Sequence, residues 1–256
     1  MKSFFFTVLS FVSMVAAAAA QGFRIDSDLR WGNAAPIRST TLFDGAVFYS
    51  FIGANGEIIR FEPAKDVFTL VDPALRIQTH LVASETQRIV NAKKVPLETH
   101  PNGFIAFAAK PVFTMEFDEA AGLMVLQSPW VDYSLTTKAF ADTQATGPYF
   151  DFCDWSCFLN QRINPQPITL IRLEVNRILR EKNRFPENIK ISIFPKGKKF
   201  LTKEETIQAS HEFSRNLTDM DRQRISQALE SMRTFPVVSF AEYQSKVAEK
   251  IAAKKK

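Results

Sequence analysis

The chain has 256 residues, 46% of them hydrophobic, with 24 Phe, 9 Gly, 13 Pro and 2 Cys; 32 Lys+Arg against 27 Asp+Glu give a formal net charge of +5. That length can bury the core of one large domain or two small ones, and the apolar content excludes a disordered chain and a collagen-like repeat. Two cysteines exclude a disulfide-stapled mini-protein and a multi-zinc module, and a charge of +5 does not by itself imply nucleic acid.

The N-terminus reads as an export signal. Lys2 is a minimal positive region, residues 4–15 are apolar apart from Ser and Thr, and Ala18-Ala19-Ala20 before Gln21 fits the small-residue cleavage rule. The alternative is an uncleaved anchor, since residues 3–20 sit near the lower limit of about 18 apolar residues for a spanning helix. The alanine end is weakly hydrophobic, which favours cleavage near Ala20. The expectation is an exported, soluble mature chain, periplasmic or extracellular.

Residues 42–81 predict an antiparallel meander. Val47, Tyr49 and Phe51 alternate with Phe48, Ser50 and Ile52, and Asn55-Gly56 is a hairpin signal before the strand at 57–62. Turns at 63–66 and at Asp72-Pro73 lead into two further strands. Ser84-x-x-Gln87 reads as a capping box opening a helix over 85–94, closed by Pro96. After a loop around His100 to Gly103, a second meander follows. Phe113, Met115 and Phe117 alternate, then residues 123–127, then Val131, Tyr133 and Leu135.

Past Gly147-Pro148 the texture becomes helical. Residues 149–162 place Phe150, Cys153, Cys157 and Phe158 at helical spacing. Leu170, Ile171, Val175, Ile178 and Leu179 mark the apolar face of a second helix, whose other face is assigned Arg172, Asn176, Arg177 and Arg180. Ile189, Ile191 and Ile193 predict a strand, and Ile207, Ala209, His211 and Phe213 another, across a Lys-rich connection. Thr218-x-x-Asp221 and Ser239-x-x-Glu242 open two short final helices. The predicted class is α+β, a long curved antiparallel β meander packed with helices and helix-rich towards the C-terminus. Residues 21–148 form the β-rich part, and 149–256 pack on the same sheet as one domain.

Charge divides along the chain. Residues 21–151 carry 11 Lys+Arg and 15 Asp+Glu, whereas residues 152–256 carry 20 and 12. Solvated helix faces account for such a bias; the functional reading is a basic surface of Arg177, Arg180, Lys182, Arg184, Lys196, Lys198 and Lys199 that meets lipid headgroups or acidic polysaccharide. Export argues against nucleic acid as a partner.

Motif chemistry is sparse. There is no G-x-S-x-G, no H-E-x-x-H and no phosphate-binding glycine loop, and His80, His100 and His211 are each isolated. No cofactor or metal is expected. Cys153 and Cys157 at i,i+4 have Cβ atoms about 5–6 Å apart, wider than the roughly 3.5–4.5 Å of a disulfide. The readings are a strained disulfide in an oxidising compartment, buried thiols, or a redox site. The strand aromatics are core, or they line a groove for an acyl ligand through Phe51, Phe113, Phe117 and Trp130.

Phe43-Asp44-Gly45 with Tyr49, Gly56-Glu57-Ile58, Phe61-Glu62-Pro63, Phe68 with residues 70–73, Pro129-Trp130-Val131-Asp132-Tyr133, residues 151–155 and Asp219-Met220-Asp221-Arg222-x-Arg224-Ile225 together resemble an exported bacterial family of unknown function. That resemblance covers most of the mature chain and implies no activity. At fold level, the meander with a packed helix resembles the periplasmic lipoprotein-carrier half-barrels, which hold acyl chains on a concave sheet and lack the C-terminal helical extension predicted here. It implies a non-enzymatic protein binding an apolar or amphipathic ligand, or an envelope partner. The alternatives are an exported hydrolase whose acids converge only in the fold, and a purely structural interaction protein.

Overall fold

Alternating strands and capped helices give, in chain order, β1 (Phe23–Trp31), β2 (Ile37–Asp44), β3 (Val47–Ile52), β4 (Glu57–Glu62), β5 (Val67–Asp72), β6 (Ile77–Val82), α1 (Ala83–Lys94), α2 (Gly103–Ala109), β7 (Thr114–Asp118), β8 (Leu123–Gln127), β9 (Val131–Ala139), α3 (Thr143–Ile163), α4 (Pro167–Glu181), β10 (Arg184–Ile193), β11 (Glu205–Ser214), α5 (Asp219–Thr234) and α6 (Phe240–Ala253). The computed structural model describes residues 22–53, 56–140, 142–197 and 205–253. The predicted leader, Asn55 of the expected hairpin, and Lys198 and Lys199 of the expected basic surface lie outside the described residues.

All eleven strands form one antiparallel sheet, ordered β6-β5-β4-β3-β2-β1-β11-β10-β9-β8-β7. The fold is α+β with a long meander, as expected. Two meanders are joined where β1 pairs with β11, from Arg24 opposite Ser214 to Trp31 opposite Ile207.

One face, here the inner face, is covered by α1–α4 and α6. Cross-strand register there sets Phe23 opposite Phe43, Phe43 opposite Phe48, Phe48 opposite Phe61 and Phe61 opposite Phe68. This ladder stacks with centroids 3.9 Å apart at Phe23–Phe43 and 4.5 Å at Phe61–Phe68. From α3, Phe152 meets Phe48 edge-on at 4.9 Å and Trp155 lies 5.2 Å from Phe61. Burial of each such side chain stabilises the fold by about 1.5–3 kcal/mol, with some gain from ring geometry.

On the outer face, Leu42, Tyr49, Ile58 and Val71 pack with Leu217, Ile225 and Ala228 beneath α5. The expected capping box at Thr218 and Asp221 forms, and Arg24 reaches Asp221 at 3.0 Å. The chain then crosses the edge of β6. Gln78 N donates to Pro236 O at 3.1 Å, Val238 N donates to Gln78 O at 2.8 Å, and Val237 bridges Gln78 in parallel. From there α6 returns to the inner side, where Lys250 pairs with Asp72 and Glu57. The far edge of β7 has no strand partner among the described residues.

Several local expectations are corrected. Ser84 does not cap α1 through a box with Gln87. Its N–H and hydroxyl bind the Asp66 carboxylate, which a left-handed residue (φ 55°) presents from the β4–β5 connection. The third helix starts at Thr143, six residues before Tyr149, because Asp142 accepts from Gln144 N and Ala145 N. Pro148 lies inside this helix and leaves the Gln144 carbonyl without its i+4 donor. The last two helices are 16 and 14 residues long rather than short.

Candidate functional site

Above β9–β11 the inner layer changes character. Tyr133 of β9 and His211 of β11 face inward, as does Ser27 of β1. The third helix sets Tyr149, Cys153 and Cys157 one turn apart on a single side. Arg172 and Asn176, also one turn apart, approach from α4. Asn176 is 1% exposed, and its Nδ2 donates to Asp154 Oδ1 at 3.0 Å and contacts Cys157 Sγ at 3.8 Å.

Arg172 and Asn176 were assigned to the solvent face of their helix; the structure corrects this. Arg172 and Leu179 are seven residues apart, almost two turns, so both look towards the interior. Among the described residues Arg172 makes no hydrogen bond or ion pair. Its charge faces Cys153, Tyr149, Tyr133, Cys157 and His211. Burial pushes the Cys153 thiol up to about 11 and that of Cys157 up to about 12, and it raises Tyr133 and Tyr149 well above the ordinary phenol range. Burial, followed by the Arg172 charge, pulls His211 down to about 4. At neutral pH these five groups are uncharged. Asp154 also feels the Arg172 charge, but Arg180 holds it at 2.8 Å together with Asn176. Two further polar atoms, Tyr133 Oη and Asn176 Oδ1, are buried without a partner.

This cluster borders an aromatic cavity of about 320 Å³ at the end of β9–β11, lined by Phe140, Phe185 and Phe213, with Lys138, Asp142 and Arg215 also contributing. Tyr149 joins the two, its ring 5.4 Å from Phe140 and 5.2 Å from Phe185. A larger cavity of about 580 Å³ lies across the strands from β8 to β1. Ser134, Asn188, Lys190, Gln208 and Ser210 line it and are exposed, so this half of the outer face carries no helix over it.

A serine–histidine contact is the geometry of an activated nucleophile, and Ser27 Oγ lies 2.8 Å from His211 Nδ1. A histidine held near 4 beside a guanidinium is nonetheless a poor proton acceptor at neutral pH. His80 Nδ1 bonds Thr69 and His100 Nδ1 accepts from Asn102 N, so none of the three histidines is paired with a carboxylate in these contacts. Among the described residues no group of three or more His, Cys, Asp or Glu is placed to hold a metal ion, and no helix is long and apolar enough to cross a membrane.

The residues singled out from sequence do not all meet. Phe113 lies edge-on to Tyr133 at 5.9 Å, Phe117 lies under Arg184 at 5.0 Å, and Trp130 packs where a Cβ on Gly103 would come within 2.4 Å of its ring. These three belong to the inner layer near β7–β9. Phe51 is on the opposite face beneath α5, with Arg224 at 4.2 Å over its ring. Cys153 and Cys157 are free thiols.

The expected basic surface is largely neutralised. Arg177 is bound by Glu174 and Glu181, and Arg180 by Asp151 and Asp154. Arg184 is not on the surface: it is 8% exposed and donates to Thr137 Oγ1 and Glu119 O. Lys182 and Lys196 are exposed. Arg172, Asn176, Tyr133, Phe140 and Phe185 were not picked out as site residues; the seven-residue spacing of Arg172 and Leu179 was the signal available. No protein-family model matches the chain, and no curated protein matches it.

Proposed function

We propose that this is an exported, non-enzymatic binding protein that takes an amphipathic, lipid-like ligand between its sheet and the α3–α4 layer. The aromatic cavity carries this reading. Phe140, Phe185 and Phe213 offer apolar walls, Arg215 adds a cation beside Asp142 and a Lys138 that is paired with Glu187, and the volume of about 320 Å³ falls at the lower end of the range for small-molecule sites. Mass spectrometry of gently extracted protein should reveal co-purified lipid, and the uncharged probe N-phenyl-1-naphthylamine should gain fluorescence on binding. The substitution Phe213→Asp should abolish both signals with the fold retained. Protein that carries no lipid and leaves the probe dark sinks the reading.

The open cavity across β8–β11 and β1, lined by both apolar and polar side chains, supports a second reading, an envelope partner docked on the open outer face. Lys190→Glu should then weaken capture of that partner without altering probe binding.

A further inference from the structure

We infer that Arg172 and Tyr133 form an anion subsite enclosed between the sheet and helices α3 and α4, and that the ligand is a single-chain amphiphile whose carboxylate or phosphate head is held there while its tail follows the aromatic side chains towards Phe185 and Phe213. This rests on the amphipathic-ligand reading above and adds a head-group chemistry to it.

Three observations converge. First, the Arg172 charge acts on groups from three other elements, namely Tyr149, Cys153 and Cys157 on α3, Tyr133 on β9 and His211 on β11, and each is neutral at pH 7. Asp154, a carboxylate that feels its charge, already accepts from Arg180 and Asn176. A buried charge is normally paired, and a guanidinium has five N–H donors and no acceptor.

Second, Tyr133 Oη is fully buried and has no partner. An orphaned buried donor calls for a missing water, ion or ligand, and the charge of Arg172 acts on this same hydroxyl. Guanidinium and phenol can both donate to one carboxylate or phosphate group. Asn176 Oδ1, the remaining orphan, is an acceptor and suits a water or a hydroxyl beside the head.

Third, Arg172, Cys153 and His211 are only half-buried although each is strongly desolvated. In such a weakly polar setting a charge-assisted pair is stronger than at the surface.

The test uses the mature chain with cis-parinaric acid, its methyl ester, and hexadecyl phosphate as a competitor. Wild-type protein should bind the acid at least about tenfold more tightly than the ester, the size expected for a hydrogen-bonded charge. Arg172→Met should remove that preference and leave ester binding unchanged, Arg172→Lys should keep part of it, and Tyr133→Phe should lose a few-fold. The melting temperature of empty Arg172→Met should equal or exceed that of wild type, because an uncompensated charge has been removed.

Displacement of the acid by hexadecyl phosphate at equal or lower concentration assigns the head as phosphate, and failure to displace assigns it as carboxylate. Equal affinity for acid and ester in wild type overturns the subsite and leaves the ligand reading standing. Arg172→Met that melts lower, loses both affinities together or fails to fold shows a structural arginine and also overturns it. Wild-type protein that binds neither probe overturns both readings.

Discussion

Along β1–β5 the inner positions opposite one another are Phe23, Phe43, Phe48, Phe61 and Phe68, each directly across from the next. Over β9–β11 the inner positions include Tyr133 and His211, and the helix above them adds Arg172. The first half is also covered on its outer face by α5, whereas the second half leaves its outer face exposed. Both halves are strands of similar length in one continuous sheet. The difference teaches where stability and capacity to bind are placed. Rings pack in both halves, while the second half also brings Arg172, Tyr133 and His211 into its inner layer and leaves its outer face open.

The sharpest way to break this comparison is Phe61→Ala. Phe61 touches Phe48, Phe68 and Trp155, and its truncation should cost about 3–5 kcal/mol in urea unfolding. A cost below about 1 kcal/mol would remove the ladder from the core.

Lys250→Met comes next, at about 3 kcal/mol, because it strands Asp72, whose side chain is 0% exposed. Adding Asp72→Leu should recover most of the loss. If it does not, α6 is held by its apolar contacts instead.

His211 then gives the second half a pH signature. Its folded value of about 4 lies below the ordinary 6.5, so below about pH 6.5 the unfolded chain takes up a proton that the folded chain refuses. Stability is complete above that pH and falls towards pH 4, by about 3 kcal/mol. Urea midpoints of His211→Asn should be flatter across that window; parallel curves for the two proteins would count against a buried neutral histidine.

Thr218→Ala should cost about 1 kcal/mol through loss of the α5 cap, read as a lower melting temperature. The smallest effect belongs to Tyr133→Phe, within roughly 0.5 kcal/mol of wild type, because its hydroxyl has no bond to lose. A large loss there would show a hidden partner.

Strands with alternating side chains and punctuated turns were legible, and β3–β5 and β7–β9 fall where the pattern placed them. Strand β1 was not read, because its inner row of Phe23, Ile25, Ser27 and Leu29 loses apolar character midway and its partner β11 lies almost the whole chain away. The helix α2 was missed for the opposite reason: seven residues, nearly all apolar, show no period. Arg172 was placed in solvent because a polar residue at the margin of an apolar stripe looks outward until a second helix is laid against it. The site was illegible for the same reason. Its parts come from two strands and two helices, and only the pairing of β9, β10 and β11 gathers them.

The crossing of β6 by residues 236–238 also sets what the sheet can do to a neighbour. Backbone groups of Gln78 on that edge are occupied by Pro236 and Val238, while the outer edge of β7 offers its row of N–H and C=O groups. Strand addition at the β6 end would have to displace residues 236–238 from Gln78, whereas among the described residues the β7 edge carries no such cover.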